Sequence, residues 1–556
     1  MFIDLSRREK NIFILLIACC VGTYLLGWQI PLMEIDAVQY ANISREMLLH
    51  KSFIQIYDQG RDYLDKPPML FWLSSASMQL FGINDAAYRF PSFLFSILSI
   101  YSTYRFSRIY YNERVAFLST LVLAGSQALF LINHDVRTDT MLMGWVMVSI
   151  WQLAEWLQKR KWKNLMLASV AIAGGMLTKG PIALMVPVFA FSAHFMMTRS
   201  FRSFLRWEYL VMGVIIGFLL IPMSIGLYLQ YDKHPEKIMY GHTGTSGLRF
   251  FYWTQSFGRI TGESTWHENG SFFFLFENLL WGFLPWTIFF IFGLVTGLGE
   301  WVRKKFFLQA GEEAISLGGF LITYCALASS QAQLPHYIYV VLPLASVITG
   351  KFMNRLFFEG KYNRWLKPLT IFHYIVFSLL VTALFFLISL PFPPLRMIIF
   401  ISAIIMTGFF LLVLFKKWIP LPPLLSACIL TILLINVWLN TGFYPSLLEF
   451  QMGIPVSRYI RGNQINKDKV FLYQLERTRN LDFYSNYSYA ETIYPDSLQT
   501  DDYLLTSKKG METINTKYFK IIDSGITFHV TRLSGSVLNP ATRKANSEMY
   551  YLLAHL

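Results

Sequence analysis

The sequence predicts an all-α polytopic membrane protein with a small α/β unit at its C-terminal end. The chain is 54% hydrophobic and only 15% charged, where water-soluble domains carry about 25% charged residues. Apolar runs long enough to cross roughly 30 Å of hydrocarbon recur over residues 1–440, and basic residues fall on every second connection between them.

Thirteen spans are expected. The first seven lie near 11–30, 88–106, 115–132, 140–157, 163–178, 181–198 and 209–230. The remaining six lie near 274–298, 314–330, 335–353, 369–390, 396–415 and 418–439. Lys and Arg cluster before the first span (Arg7, Arg8, Lys10) and after every even-numbered one, ending with Lys416 and Lys417. Basic residues stay on the cytoplasmic side. The N-terminus is therefore expected in the cytoplasm and residues 444–556 outside. That bias accounts for most of the net charge of +14, so no nucleic-acid partner is implied. No small-residue cleavage site follows Lys10, and the first apolar run is read as a span rather than a cleaved signal. The four cysteines (Cys19, Cys20, Cys325, Cys428) all fall within spans and imply neither a disulfide nor a thiolate metal site.

Two long connections, 31–87 and 231–273, lie on the outer side of this transmembrane unit of residues 1–443. Residues 36–50 repeat apolar positions at helical spacing and read as an amphipathic helix lying on the membrane. Segment 69–81 is too short to span and is expected to lie in the interface or to re-enter. Beyond about residue 445 the composition turns polar. KVFLYQ, DYLLTS, YFKIIDS and ITFHVTRL read as strands, and ERTRNLDFYSN reads as a helix.

The first long connection concentrates charge: Glu34, Asp36, Arg45, Glu46, Asp58, Arg61, Asp62, Asp65 and Lys66. Asp36 has Glu34 before it and Tyr40 one turn later. Asp139, in HDVRTDTML, supplies a second external acid. Paired acids suit proton removal from a hydroxyl or contact with a sugar; a lone interfacial carboxylate solvated by water fits the same spacing. Lys66 precedes two prolines that fix the backbone. Lys179, in LTKGPIAL, sits in a two-residue connection, either as a phosphate ligand or as a cation snorkelling to headgroups. Arg259 and the pair His336-Tyr337 add donors on the outer side, and several donors on one face can hold a phosphate. Asp65, His242, Glu263, His267 and Glu268 are candidate metal ligands without a recognised spacing, so no cofactor is assigned and a divalent metal is unsupported. There is no phosphate-binding Gly-rich loop and no dinucleotide fingerprint.

EIDAVQYANISREM, YLDKPPMLFWL, LTKGPIALMVP and LPHYIYVVLPLAS, in that order, resemble the polyprenyl-phosphate-dependent GT-C glycosyltransferases. The likeness is to the branch of the lipid A aminoarabinose transferases, related to protein O-mannosyltransferases. The resemblance implies a sugar donor linked to undecaprenyl phosphate, a lipid A-like or protein acceptor, and inversion at the anomeric carbon on the periplasmic face of a bacterial inner membrane. It implies that Asp36 is the first-loop aspartate near the reacting hydroxyl and Asp139 the second-loop acid. Lys66, Arg259 and Tyr337 would contact the donor phosphate. The chain departs from the family where Ala37 follows Asp36, where Gln39 stands at a basic position, where Asp65 replaces Glu, and where Ser256 replaces a metal-binding His. These departures bear on a bound metal and on aminoarabinose as the sugar. The alternative is a lipid flippase or secondary transporter. Transporters keep ionisable groups near mid-membrane, whereas these span interiors are nearly free of Asp, Glu, Lys and Arg.

Overall fold

Capping chemistry marks where the long helices begin. Ser6 and Glu9 form a reciprocal capping box at the start of Arg7–Leu26. Asn84 accepts from the Ala87 amide to open Asp85–Tyr110, and Asn112 does the same for Val115 at the start of Glu113–Ala124. The computed structural model describes residues 5–261, 263, 271–394, 397–415, 419–476 and 478–556.

Each of the thirteen expected spans coincides with a helix or a pair of helices. By length and composition, five are able to cross a membrane alone: Arg7–Leu26, Glu208–Asp232, Pro335–Phe357, Asn363–Ser389 and Pro423–Leu448. Two expected spans are interrupted. Glu113–Ala124 and Gln127–His134 meet at a bend of 46°. Pro285, which cannot donate to the helix ladder, separates Phe274–Gly282 from Thr287–Arg303. Close backbone approach knits the bundle, as is usual where helices lack a hydrophobic drive between them. A Cβ on Gly174 would come within 2.6 Å of the Trp145 ring, and one on Gly350 within 2.4 Å of Ser119.

The helix expected at 36–50 forms as Asp36–His50, but it has no solvated polar face. Its polar residues Asn42, Ser44 and Arg45 are as buried as its apolar ones. The reason is polar partners from the C-terminal region. Asn42 Nδ2 donates to the Arg479 carbonyl at 2.6 Å, and Arg45 Nη1 to the Asp482 carbonyl at 2.6 Å. Residues 69–81 form the helix Met69–Phe81, which packs against Asp36–His50.

The C-terminal region contains a five-stranded mixed sheet, ordered Ala490–Glu491, Val470–Tyr473, Tyr503–Ser507, Glu548–His555, Phe519–Thr527. Three of the expected strands appear in it, and Arg479–Ser485 is helical as expected. ITFHVTRL is not a strand of its own. Its first two residues end Phe519–Thr527, and the sequence reading missed the last strand, Glu548–His555, which pairs with both neighbours.

The seam between Asp36–His50 and Arg479–Ser485 responds to pH. Burial pushes the Asp482 carboxyl up to about 6, against stabilising bonds from Gln59 and the charge of Arg45. The folded state holds that proton more tightly than the unfolded one, so stability from this group declines as pH rises from about 4 to about 6 and is level above. Thermal unfolding of the detergent-solubilised protein should show a higher midpoint near pH 5 than near pH 7.5, and Asp482→Asn should shrink that difference. An undiminished difference in the variant would place its origin elsewhere.

Candidate active site

The backbone leading to Asp36 is fixed by side chains from three distant regions. Arg89 in Asp85–Tyr110 is 1% exposed and donates to the carbonyls of Trp28, Ile30, Pro31 and His134. The last of these ends the helix Gln127–His134, where carbonyls lack intrahelical partners. One guanidinium thus ties the segment entering Asp36 to the segment entering Asp135 and Arg137. Gln451 brackets the same stretch, accepting from the Glu34 amide at 2.8 Å and donating to the Leu32 carbonyl at 2.9 Å. Tyr484 accepts from the Leu32 amide and donates to Asp85, each at 2.6 Å.

A cavity of about 400 Å³ opens above these segments. Of the residues singled out from sequence, Asp36, Tyr40, Asp65, Lys66, His336 and Tyr337 all line it. Acids and cations from positions as far apart as 36, 66 and 336 therefore converge on one hollow. Lys66, half withdrawn from solvent, holds Asp65 at 2.8 Å, and Gln255 Nε2 fixes the other oxygen of Asp65 at 2.8 Å. The two prolines after Lys66 start the helix Met69–Phe81, so the lysine sits at a rigid corner. Burial, then the carboxylates of Asp36 and Asp65, hold the Tyr40 phenol well above the ordinary tyrosine range.

Arg137 organises the acidic side. Its Nη1 meets Asp36 Oδ2 at 2.5 Å, and its Nη2 meets Asp135 Oδ2 at 2.8 Å. Burial alone would lower the affinity of this guanidinium for its proton, but the carboxylates of Asp135 and Asp36 outweigh it and raise it. Nη1 also lies 3.3 Å from His336 Nδ1. Asp36 Oδ1 has no hydrogen-bond donor among the described residues.

Asp139 and Lys179 stand differently from the expectation of two open groups. They pair with each other at 2.5 Å, and the Asp139 side chain is 2% exposed. His336 Nε2 lies 3.6 Å from the second Asp139 oxygen, and Lys179 Nζ sits 4.1 Å over the Tyr337 ring. The pair is thus a buttress behind His336 and Tyr337, outside the cavity lining. Glu34 is buried beside Gln451 and is likewise absent from the lining. The side chain of Arg259, with His267 and Glu268, lies outside the described residues. His242 is exposed on a two-residue strand, and Glu263 pairs with Arg249. Among the described residues no three His, Cys, Asp or Glu side chains gather as metal ligands.

Sequence reasoning missed Arg137, Arg89 and Tyr63, and noted Gln39 only as a departure from the family pattern. Arg137 was findable: it is a cation flanked by acids in HDVRTD, on a connection where the expected topology has few basic residues. Arg89 gave no such signal, because its partners are backbone carbonyls.

Residues 65–225 match the family model described as dolichyl-phosphate-mannose-protein mannosyltransferase. The chain is 26% identical over 371 residues to the undecaprenyl phosphate-alpha-4-amino-4-deoxy-L-arabinose arabinosyl transferase of Wigglesworthia glossinidia brevipalpis, covering 65% of this chain and 62% of the relative. It is 28% identical over 354 residues to the enzyme of the same name from Aeromonas salmonicida, covering 61% and 60%. The matches thus span less than two thirds of these relatives' own length. Among solved structures, ArnT from Cupriavidus metallidurans bound to undecaprenyl phosphate superposes with a TM-score of 0.69 at 18% identity, covering 97% of each chain. The Archaeoglobus fulgidus oligosaccharyltransferase in its apo form superposes at 0.52 with 12% identity, covering 96% of this chain and 72% of that one. The resemblance drawn from the motifs is borne out, and the fold is that of the GT-C membrane glycosyltransferases.

Removing Arg89 orphans carbonyls from both segments at once. Arg89→Met should destabilise the protein by on the order of 3 kcal/mol or more, with Arg89→Lys recovering part of the loss. Thermal unfolding in detergent measures both, and an unchanged midpoint in Arg89→Met would show that these carbonyls find other partners.

Proposed function

We propose that this chain is an integral-membrane glycosyltransferase that moves a sugar from a polyprenyl (undecaprenyl) phosphate to a hydroxyl of a lipid A-like or protein acceptor. The observation that carries the reading is the single cavity into which Asp36 and Lys66 both open. An acid able to take a proton and a cation able to hold a phosphate face one volume, in a fold that ArnT uses with undecaprenyl phosphate bound. The relatives are named as transferases, which favours this reading over a flippase or secondary transporter.

The donor phosphate lies against Lys66, with the Tyr337 hydroxyl beside it, and the family resemblance adds Arg259 as a further phosphate contact. The acceptor hydroxyl lies at Asp36 Oδ1, the oxygen that Arg137 leaves open. As the acceptor oxygen attacks the anomeric carbon from the face opposite the phosphate, its proton passes to Asp36. The carbon–oxygen bond to the phosphate breaks with its electron pair, and the configuration inverts. Lys66 neutralises the charge growing on the departing phosphate, the kind of contact that counts most where water is excluded. Arg137 keeps Asp36 aimed. Asp139 and Lys179 hold His336 and Tyr337 in place, so both act from behind the cavity rather than in it. Dependence on a divalent metal forms no part of this scheme.

We place the thirteen helical segments as spans, with the N-terminus cytoplasmic, residues 1–443 as the transmembrane unit and residues 444–556 as an extracytoplasmic α/β domain. The seven basic clusters on alternate connections support that orientation. The membrane would then be a bacterial inner membrane and the cavity would face the periplasm.

Purified protein given radiolabelled undecaprenyl-phosphate sugars and a membrane lipid extract should transfer label. Asp36→Asn should lower kcat by about 10²–10⁴-fold at unchanged expression; retained activity would remove Asp36 from proton transfer. Lys66→Ala should cut kcat/KM for the donor by about 10²–10³-fold. Donor kinetics equal to those of the unaltered protein would refute the phosphate contact.

A further inference from the structure

Two groups on the cavity wall have hydrogen-bonding capacity that the fold leaves unused. Gln39 donates its Nε2 to Asp58 Oδ2 at 2.6 Å. Arg479, from the C-terminal region, donates to the same oxygen at 2.9 Å, and Asp58 is buried between them. A carboxylate paired with a guanidinium accepts and does not donate, so the Gln39 amide cannot be turned over. Nε2 must face Asp58, and Oε1, an acceptor only, is the atom left for the cavity. Among the described residues nothing donates to it.

Tyr63 lines the same cavity. Its ring stands edge-on to Phe71, and its buried hydroxyl has no hydrogen-bond partner among the described residues. A hydroxyl buried without a partner costs about 1–3 kcal/mol, a cost that a ligand atom in the cavity would offset. Burial holds this phenol well above the ordinary tyrosine range, so it keeps a proton to donate.

We propose that Gln39 and Tyr63 select the sugar of the donor, Gln39 Oε1 accepting from one sugar hydroxyl and Tyr63 donating to another. This deepens the function proposed above and rests on it. Neither group is charged, so the pair fits hydroxyls rather than a carboxylate or a second phosphate. Asp58 and Arg479 are positioning residues: they touch no sugar and fix which end of the Gln39 amide faces it. The C-terminal region thereby reaches the specificity of a cavity it does not line.

The test uses the full-length protein in detergent with a panel of undecaprenyl-phosphate sugars, each lacking one hydroxyl. Gln39→Met and Tyr63→Phe should each raise KM for the best complete donor by about 10-fold to 100-fold. Each variant should also lose discrimination against one deoxy donor, at a different position for each. Arg479→Ala should reproduce the Gln39→Met pattern more weakly, and Arg479→Lys should restore discrimination. Variants that keep the full discrimination pattern, or that lose activity equally on every donor, would overturn the inference while leaving the transferase reading standing. An unaltered protein that transfers no sugar from any polyprenyl-phosphate donor would overturn both.

Discussion

Arg89 enters the bundle one turn into Asp85–Tyr110 and gives its guanidinium wholly to backbone carbonyls. Those carbonyls belong to the two stretches that leave the helices Arg7–Leu26 and Gln127–His134. Asp36 follows the first stretch, and Asp135 and Arg137 follow the second. A guanidinium presents its donors in a fixed planar fork, so the two stretches are held at a set separation. The ion pair between Asp36 and Arg137 is a consequence of that spacing, and so is the direction in which Asp36 faces the cavity. A buried charge of this kind would be expensive without partners, and the number of carbonyls it satisfies is what makes the site tenable.

The charges nearest the cavity then divide by depth. Arg137 and Lys179 are each committed to carboxylates, and His336 lies between them, near both Arg137 and Asp139. Lys66 is paired as well, but with Asp65, a neighbour in sequence that lines the same cavity and moves with the same corner of the chain. Behind it, the Asp139–Lys179 pair joins Thr138–Lys159 to Trp162–Lys179, and the Arg137–Asp36 pair joins the start of Thr138–Lys159 to the start of Asp36–His50. The cation that lines the cavity thus stands apart from those committed to pairs between helices.

Much of this was legible in the sequence because hydrophobic periodicity and basic clustering are local signals. The helical segments followed from them, while the expectation that Asp36, Lys66 and Tyr337 share one site came from the family resemblance of their motifs. The remainder depended on pairings between distant residues. Asp36–His50 reads as an amphipathic surface helix because its polar positions carry no sign that Arg479 and Asp482, more than four hundred residues later, will cover them. Asp139 and Lys179 read as two free groups because nothing in either motif states that they meet. The strand Glu548–His555 was missed at the chain end, where its two neighbours alone define it.

Those long-range pairings give the C-terminal region a physical role in the cavity. Gln451, Tyr484 and Arg479 all reach back to residues 32–58, the stretch that carries Asp36 and Gln39. A connection of that length, left to itself, would lose much of its binding advantage to the entropy of ordering it when a ligand arrives, at about 1–2 kcal/mol for each backbone position fixed. Folding the C-terminal region meets that cost beforehand, since its own core of Val456, Val470, Leu505 and Leu552 is what holds the three side chains in place. The two ends of the chain therefore build one site. The helices set where its charges stand, and the C-terminal sheet and its helices keep the intervening connection from moving away from them.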